Sequence, residues 1–338
     1  MLLPVKRRTI LPIYLLVLLL IAAAIVLKGK AQKANRGESE KPATQTNFEI
    51  IGNRTRFQPI GKDLAANFTG TKAFEHVGAL SKLGPRPPAS AGYESALVYL
   101  EKEFKAAGWI TVRQKFKGET PKGEMIFTNL RARFHDPVTP WKSSTPVVIG
   151  GHLDSKLMEA FPFVGANDGG SSTGVILELA QVLGADPASA SKVEFVLFDG
   201  EEAIGESITS SDGLYGSKHF ARDLMTREIQ PSFGIVLDLV GDDDHDFYYN
   251  PESPQSFATA VENAARESGM TKLRRAPGSI IDDHVPLQEA GLPCLHLIGD
   301  FMNMPYWHKQ GDTMDVIDAD ALKKTGRTTL RFLASVKP

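Results

Sequence analysis

The sequence predicts one α/β domain, a single three-layer α/β/α sandwich around a mostly parallel central sheet, and three observations predict it. Residues 147–149, 193–198, 235–239 and 294–298 are short runs, apolar at nearly every position, which is how strands covered on both faces read. Helix-like stretches over 173–183 and 256–268 lie between them and a last one spans 319–333, the alternation of a parallel sheet with crossover helices. At 42% hydrophobic and 23% charged residues, the 338-residue chain has globular composition, which excludes disorder for its bulk.

Taken in order, residues 1–9 form a basic tail carrying Lys6, Arg7 and Arg8. Residues 10–27 follow without a charge, about 27 Å as a helix and enough to cross a bilayer core. The segment reads as an uncleaved transmembrane anchor, with a cleaved signal peptide at Ala22-Ala23-Ala24 as the alternative. Basic residues flank both ends, and the folded part is expected outside the cytoplasm, periplasmic or extracellular, held to the membrane through residues 10–27. Residues 28–47 are a polar linker of Lys, Glu, Gln, Thr, Asn and Gly. Residues 48–338 are expected to form one folded domain.

Lys and Arg number 38 against 40 Asp and Glu, a balance that carries no polybasic signature of nucleic-acid binding. Within 48–338, Ala96, Leu97, Leu100, Phe104 and Ala107 fall at helical spacing between Gly92 and Gly108. Strands are expected over 110–116 and 129–134, ahead of the four buried runs. The only cysteine is Cys294, so a metal in this chain must be held by His, Asp and Glu.

Those residues stand at the strand ends, where open α/β sheets bind ligands. His152 and Asp154 follow the run 147–149, a pair that reads either as a hydrogen-bonded loop pair or as metal ligands. Asp168 sits in Gly165-Ala166-Asn167-Asp168-Gly169-Gly170, a turn ahead of a helix opened by Ser171, Ser172 and Thr173. The run 193–198 leads into Asp199-Gly200-Glu201-Glu202, like charges that repel unless a cation or a shared proton offsets them. Asp238 interrupts an apolar strand, where an unpaired carboxylate costs several kcal/mol. Asp282, Asp283 and His284 come next, then Tyr306, Trp307 and His308 after the run 294–298, while His219 and His296 read as structural. Oxygen and imidazole ligands without thiolate suit Zn²⁺ in an open catalytic site. Of two adjacent glutamates, one can bind the metal and the other can move protons.

Over roughly residues 70–335 the chain resembles the superfamily of zinc aminopeptidases and glutaminyl-peptide cyclotransferases. The pieces GHLDSK, FVGANDGG, FDGEEA, GLYGSKHFA, VLDLVG, DDHVPL, GLPCLHLI and WHKQGDTMD look most like glutaminyl cyclases, with Asp-Asp-His-x-Pro and Trp-His the discriminating ones. The resemblance implies a zinc aminopeptidase-like fold, zinc held by Asp168, Glu202 and His308, and Glu201 as proton shuttle. It further implies an acidic network of Asp238 and Asp282, and Trp307 lining the substrate pocket. In the two-zinc aminopeptidases His152 and Asp238 would hold a second metal, with Asp168 bridging. Two features depart from the animal cyclases: Ile204-Gly205-Glu206-Ser207 stands where they carry a pocket tryptophan, and Asn167-Asp168 is closer to the aminopeptidase turn. One cysteine also excludes the family's lumenal disulfide.

The implied activity is conversion of N-terminal glutamine in peptides and proteins to pyroglutamate with release of ammonia. The competing enzymatic reading is hydrolysis of an N-terminal peptide bond by a metal-bound water. A membrane-anchored binding protein on an inactive peptidase fold is the third, opposed by the complete set Asp168, Glu201, Glu202, Asp238 and His308.

Overall fold

The computed structural model describes residues 53–134, 141 and 143–338, so the basic tail, the apolar segment 10–27 and the linker 28–47 lie outside the described residues. Among the described residues no helix is long and apolar enough to cross a membrane.

In chain order the elements are β1 Asn53–Arg54, α1 Thr71–Lys82, α2 Ala91–Ala106, β2 Trp109–Thr120, β3 Gly123–Phe134, β4 Val147–His152, α3 Gly170–Gly184 and α4 Pro187–Ala190. There follow β5 Val193–Phe198, α5 Tyr215–Met225, β6 Ile229–Gln230, β7 Phe233–Asp238, β8 Phe247–Tyr249, α6 Gln255–Ser268, β9 Leu273–Arg275, α7 His284–Glu289, β10 Cys294–Gly299 and α8 Ala319–Ser335. Eight strands form one sheet in the order β2-β3-β5-β4-β7-β10-β8-β9.

The central strands β5, β4, β7 and β10 pair in parallel, and every one of their residues is buried, as their apolar runs predict. The expectation of a mostly parallel sheet needs correction at both sides. The β2–β3 hairpin is antiparallel and joins β5 antiparallel, and β8 joins β10 antiparallel, so the sheet is mixed. The strands expected at 110–116 and 129–134 extend to twelve residues each because the hairpin zips from Trp109↔Phe134 out to Thr120↔Gly123. Polar side chains along its outer half hid that extension from an apolar-run criterion.

Helices gain their starts from specific acceptors. Ser90 accepts the Tyr93 amide at the head of α2 (3.0 Å) and Asp318 that of Asp320 at the head of α8 (2.7 Å). No local side chain caps α1; instead the buried Glu178 of α3 accepts the amides of Thr69, Gly70 and Ala73 at 2.7, 3.2 and 2.8 Å, fastening α1 to α3.

A second buried carboxylate ties the hairpin to the sheet. Glu194 of β5 meets Arg131 (2.6 Å), Arg133 (2.7 Å) and Arg227 (3.4 Å). Burial opposes its charge, but the guanidiniums prevail and hold its carboxyl down at about 2. Glu194→Ala is expected to cost about 3–5 kcal/mol, because three buried guanidiniums lose their shared partner. The carboxyl is depressed in the fold, so its contribution is complete above the ordinary glutamate range near 4.5 and is lost as pH falls toward 2. Urea midpoints measured from pH 7 downward should fall more steeply for the wild type than for the variant.

Candidate active site

Three neighbouring strands deliver the acidic groups to one edge of the sheet. β4 ends on His152 and β7 on Asp238, and β5 runs directly into Asp199, Gly200, Glu201 and Glu202. Asp168 arrives from the turn that opens α3. Gly169 in that turn has φ +76, and a Cβ there would lie 2.7 Å from the Asp154 carbonyl and 2.9 Å from the His152 ring, so only glycine brings the turn this close.

The Asp168 carboxylate is shared. Its Oδ1 lies 3.2 Å from His152 Nε2, which also sits 3.1 Å from Asp238 Oδ1, and its Oδ2 lies 3.3 Å from His308 Nε2, which is 3.2 Å from Glu202 Oε1. Of three sets of converging ligand atoms among the described residues, two share Asp168, namely Asp168, Glu202, His308 and His152, Asp168, Asp238, while the third is Asp282, His284 and His296. Asp168 Oδ2 and Glu202 Oε1 are buried and have no hydrogen-bond partner among the described residues. Buried carboxylate oxygens that lack a hydrogen-bond partner and converge on one imidazole nitrogen are a donor set that fits a divalent cation with an open position.

Electrostatics point the same way. Burial disfavours the charged form of His308, yet its contacts with Asp168 and Glu202 outweigh this and push it up to about 10. The field that holds a proton there would hold a metal ion. Burial raises Asp238 to about 6 against the pull of His152. Glu201 is pushed well above the usual carboxylate range by burial, with Glu202, Asp282 and Asp283 adding to the shift and His152 opposing it. A carboxyl whose proton affinity is raised this way suits general acid–base work. His308 itself has φ +52, and Leu239, next to Asp238, also has φ +52, a conformation non-glycine residues adopt at a cost and one that clusters at functional sites.

Asp168, Glu201, Glu202, Asp238 and His308 line a pocket of about 540 Å³ that also includes Lys156, Glu206, Asp282, Ile280, Phe301 and Trp307. Trp307 stacks on His308 (centroids 4.3 Å apart) and packs on Phe301 (4.8 Å), so it is an aromatic wall beside the ligand set. The segment 204–208, without an aromatic, contributes Glu206, Ser207 and Ile208 to the same pocket.

The structure separates the alternatives left open for Asp154. It is absent from the ligand set of His152 and from that of His308; its Oδ1 and Oδ2 accept the amides of Glu201 and Glu202, each at 3.2 Å, and so aim the glutamate pair. His152 donates from Nδ1 to the Asp154 carbonyl (3.1 Å), leaving Nε2 toward Asp168 and Asp238.

Sequence reading missed other parts of the frame. Asp312 accepts the amides of Asn167 (2.6 Å) and Asp168 (3.0 Å) and fixes the Asp168 turn. The buried Arg86 donates to the carbonyls of Leu153, Val164 and Gly165, joining the two loops that carry the ligands. His296, expected to be structural, lies 3.0 Å from Asp282 Oδ2 and stacks on His284, so it is the partner of a pocket acid. The signal was present, since a histidine inside an apolar strand poses the same question as Asp238 does. His219 stacks flat on Phe116 away from these groups, as expected of a structural residue.

Residues 136–333 match the family described as Peptidase family M28. A glutaminyl-peptide cyclotransferase-like protein of Bos taurus is 27% identical over 86% of this chain and 86% of its own length. The crystal structure of Tannerella forsythia glutaminyl cyclase is 30% identical, with a TM-score of 0.69 over 80% of this chain and 100% of its own. That of a Zn-dependent exopeptidase from Parabacteroides distasonis is 27% identical, with a TM-score of 0.70 over 79% of this chain and 98% of its own.

Proposed function

The chain belongs to peptidase family M28, and we propose that within it the protein is a zinc-dependent glutaminyl-peptide cyclotransferase acting on peptides and proteins that begin with glutamine. The observation that carries this reading is the pocket. A cation-binding set, the buried Glu201 with its raised proton affinity, and the aromatic wall of Trp307 open onto one space. The similarity to proteins named for this activity supports it.

Asp168, Glu202 and His308 would hold the zinc. When bound there, zinc supplies Lewis acidity toward the carbonyl oxygen of the glutamine side-chain amide. Trp307, Phe301 and Ile280 would pack the methylenes, fold the side chain back toward its own amine, and exclude water. Glu201 takes a proton from the α-amine as that nitrogen bonds to the side-chain carbonyl carbon, then delivers it to the departing amide nitrogen. The carbon–nitrogen bond to that group breaks and ammonia leaves, so the proton count closes on pyroglutamate without a water nucleophile. Asp238 and Asp282, paired with His152 and His296, would hold the acidic network around Glu201.

A second reading, hydrolysis of the N-terminal residue, is favoured by one specific observation: His152, Asp168 and Asp238 form a complete second ligand set that shares Asp168. Full-length protein with zinc, given a Gln-initial and a Leu-initial peptide, decides between them by mass spectrometry. Ammonia loss from the first alone is the expected result, and residue loss from the second would assign the peptidase. His308→Ala is expected to lower bound zinc and turnover together, and full occupancy in that variant would remove His308 from the ligands.

Residues 10–27 are proposed to anchor the protein with its catalytic domain outside the cytoplasm. The full-length protein should then stay with membranes through a high-salt wash, because apolar burial and not charge retains it. Release by salt, or a mature N-terminus near Ile25, would reject the anchor.

A further inference from the structure

Lys156 is 6% exposed and lines the pocket together with six carboxylates, those of Asp168, Glu201, Glu202, Glu206, Asp238 and Asp282. Its hydrogen bonds all go to one segment. Nζ donates to Glu202 Oε2 at 3.5 Å, to the Ala203 carbonyl at 3.2 Å and to the Gly205 carbonyl at 3.4 Å. The two oxygens of Glu202 are thereby divided: Oε2 meets the ammonium, and Oε1 faces His308 Nε2 without a hydrogen-bond partner among the described residues.

We propose that Lys156 is a positioning residue that keeps Glu202 a one-oxygen ligand, so that a cation held by Asp168, Glu202 and His308 retains an open position for the substrate's carbonyl oxygen. The inference rests on the zinc reading of those three residues. A catalytic zinc site needs such a position, and a carboxylate free at both oxygens can close it by binding through both. Removing the ammonium acts oppositely on metal and substrate. It takes a positive charge away from the neighbourhood of a dication and frees a second oxygen, so the metal is held at least as tightly. Substrate must then displace that oxygen, so it binds less well. A side chain that merely filled space would loosen both when removed.

The test uses full-length wild type, Lys156→Met and Lys156→Arg. Each is loaded with Co²⁺, whose visible absorption weakens as ligands are added, and zinc affinity is measured against a chromophoric chelator. The Met variant should show weaker cobalt bands, zinc affinity equal to or tighter than wild type, and a KM for a Gln-initial peptide raised on the order of tenfold with a smaller change in kcat. The Arg variant, which keeps the charge, should resemble wild type in all three. Wild-type cobalt bands and KM in the Met variant, or weakened zinc binding, would overturn the proposal. If the Met variant does not fold, Lys156→Gln carries the same measurements, with the Met variant's expected results. Failure of the wild type itself to bind zinc or cobalt would instead reject the metal reading on which the proposal rests.

Discussion

Glu201→Gln is expected to keep its zinc and its substrate affinity while kcat falls by roughly 10² to 10⁴, the usual worth of general acid–base help. The substitution preserves size and hydrogen-bonding shape, and Glu201 lies outside both ligand sets that contain Asp168. Its neighbour should fail differently. Glu202→Gln replaces the oxygen that faces His308 at 3.2 Å, so zinc affinity should drop and excess zinc should partly restore turnover. Zinc content by atomic absorption beside steady-state kinetics separates the two. Zinc lost from the Glu201 variant and kept in the Glu202 variant would exchange their roles, and near-normal kcat in Glu201→Gln would remove the shuttle from either reaction.

The contrast between two adjacent glutamates shows what the sequence could and could not carry. That His152 and the pair Glu201-Glu202 follow the runs of β4 and β5 was legible, because a fully buried strand announces itself as an apolar run and the polar residues after it stand out against that run. Asp238 was legible for the same reason, as a charge where burial demands a partner. Which partner it finds was not, since His152 reaches it from a neighbouring strand and only parallel pairing sets the two strand ends side by side. Asp312, Arg86 and Lys156 were silent for a different reason. They act on backbone groups far away in sequence, Asp312 on the amides of Asn167 and Asp168 and Arg86 on Leu153, Val164 and Gly165, and no local spacing encodes such a contact. The β2–β3 hairpin was legible only where its faces are buried. Its outer half, with Lys117 paired to Glu124 in solvent, carries no apolar period to read.

Asp168→Asn is expected to be the most damaging single substitution for metal binding, because Asp168 is the residue common to both ligand sets. Its two oxygens serve different imidazoles, Oδ1 that of His152 and Oδ2 that of His308, and asparagine removes the charge from both contacts at once. The backbone should hold, since Asp312 still accepts the Asn167 and Asp168 amides, so a folded protein with weakened metal binding is the expected product. Zinc affinity should fall by more than about 100-fold, beyond what loss of an outer partner of a ligand costs. Metal stoichiometry then distinguishes the cyclase from the two-metal peptidase. With one zinc per chain at Asp168, Glu202 and His308, His152→Ala leaves that zinc in place and Asp168→Asn releases it. With two per chain, His152→Ala loses one and Asp168→Asn loses both. Retention of full zinc in folded Asp168→Asn would mean that the metal sits elsewhere, and both assignments would fall together.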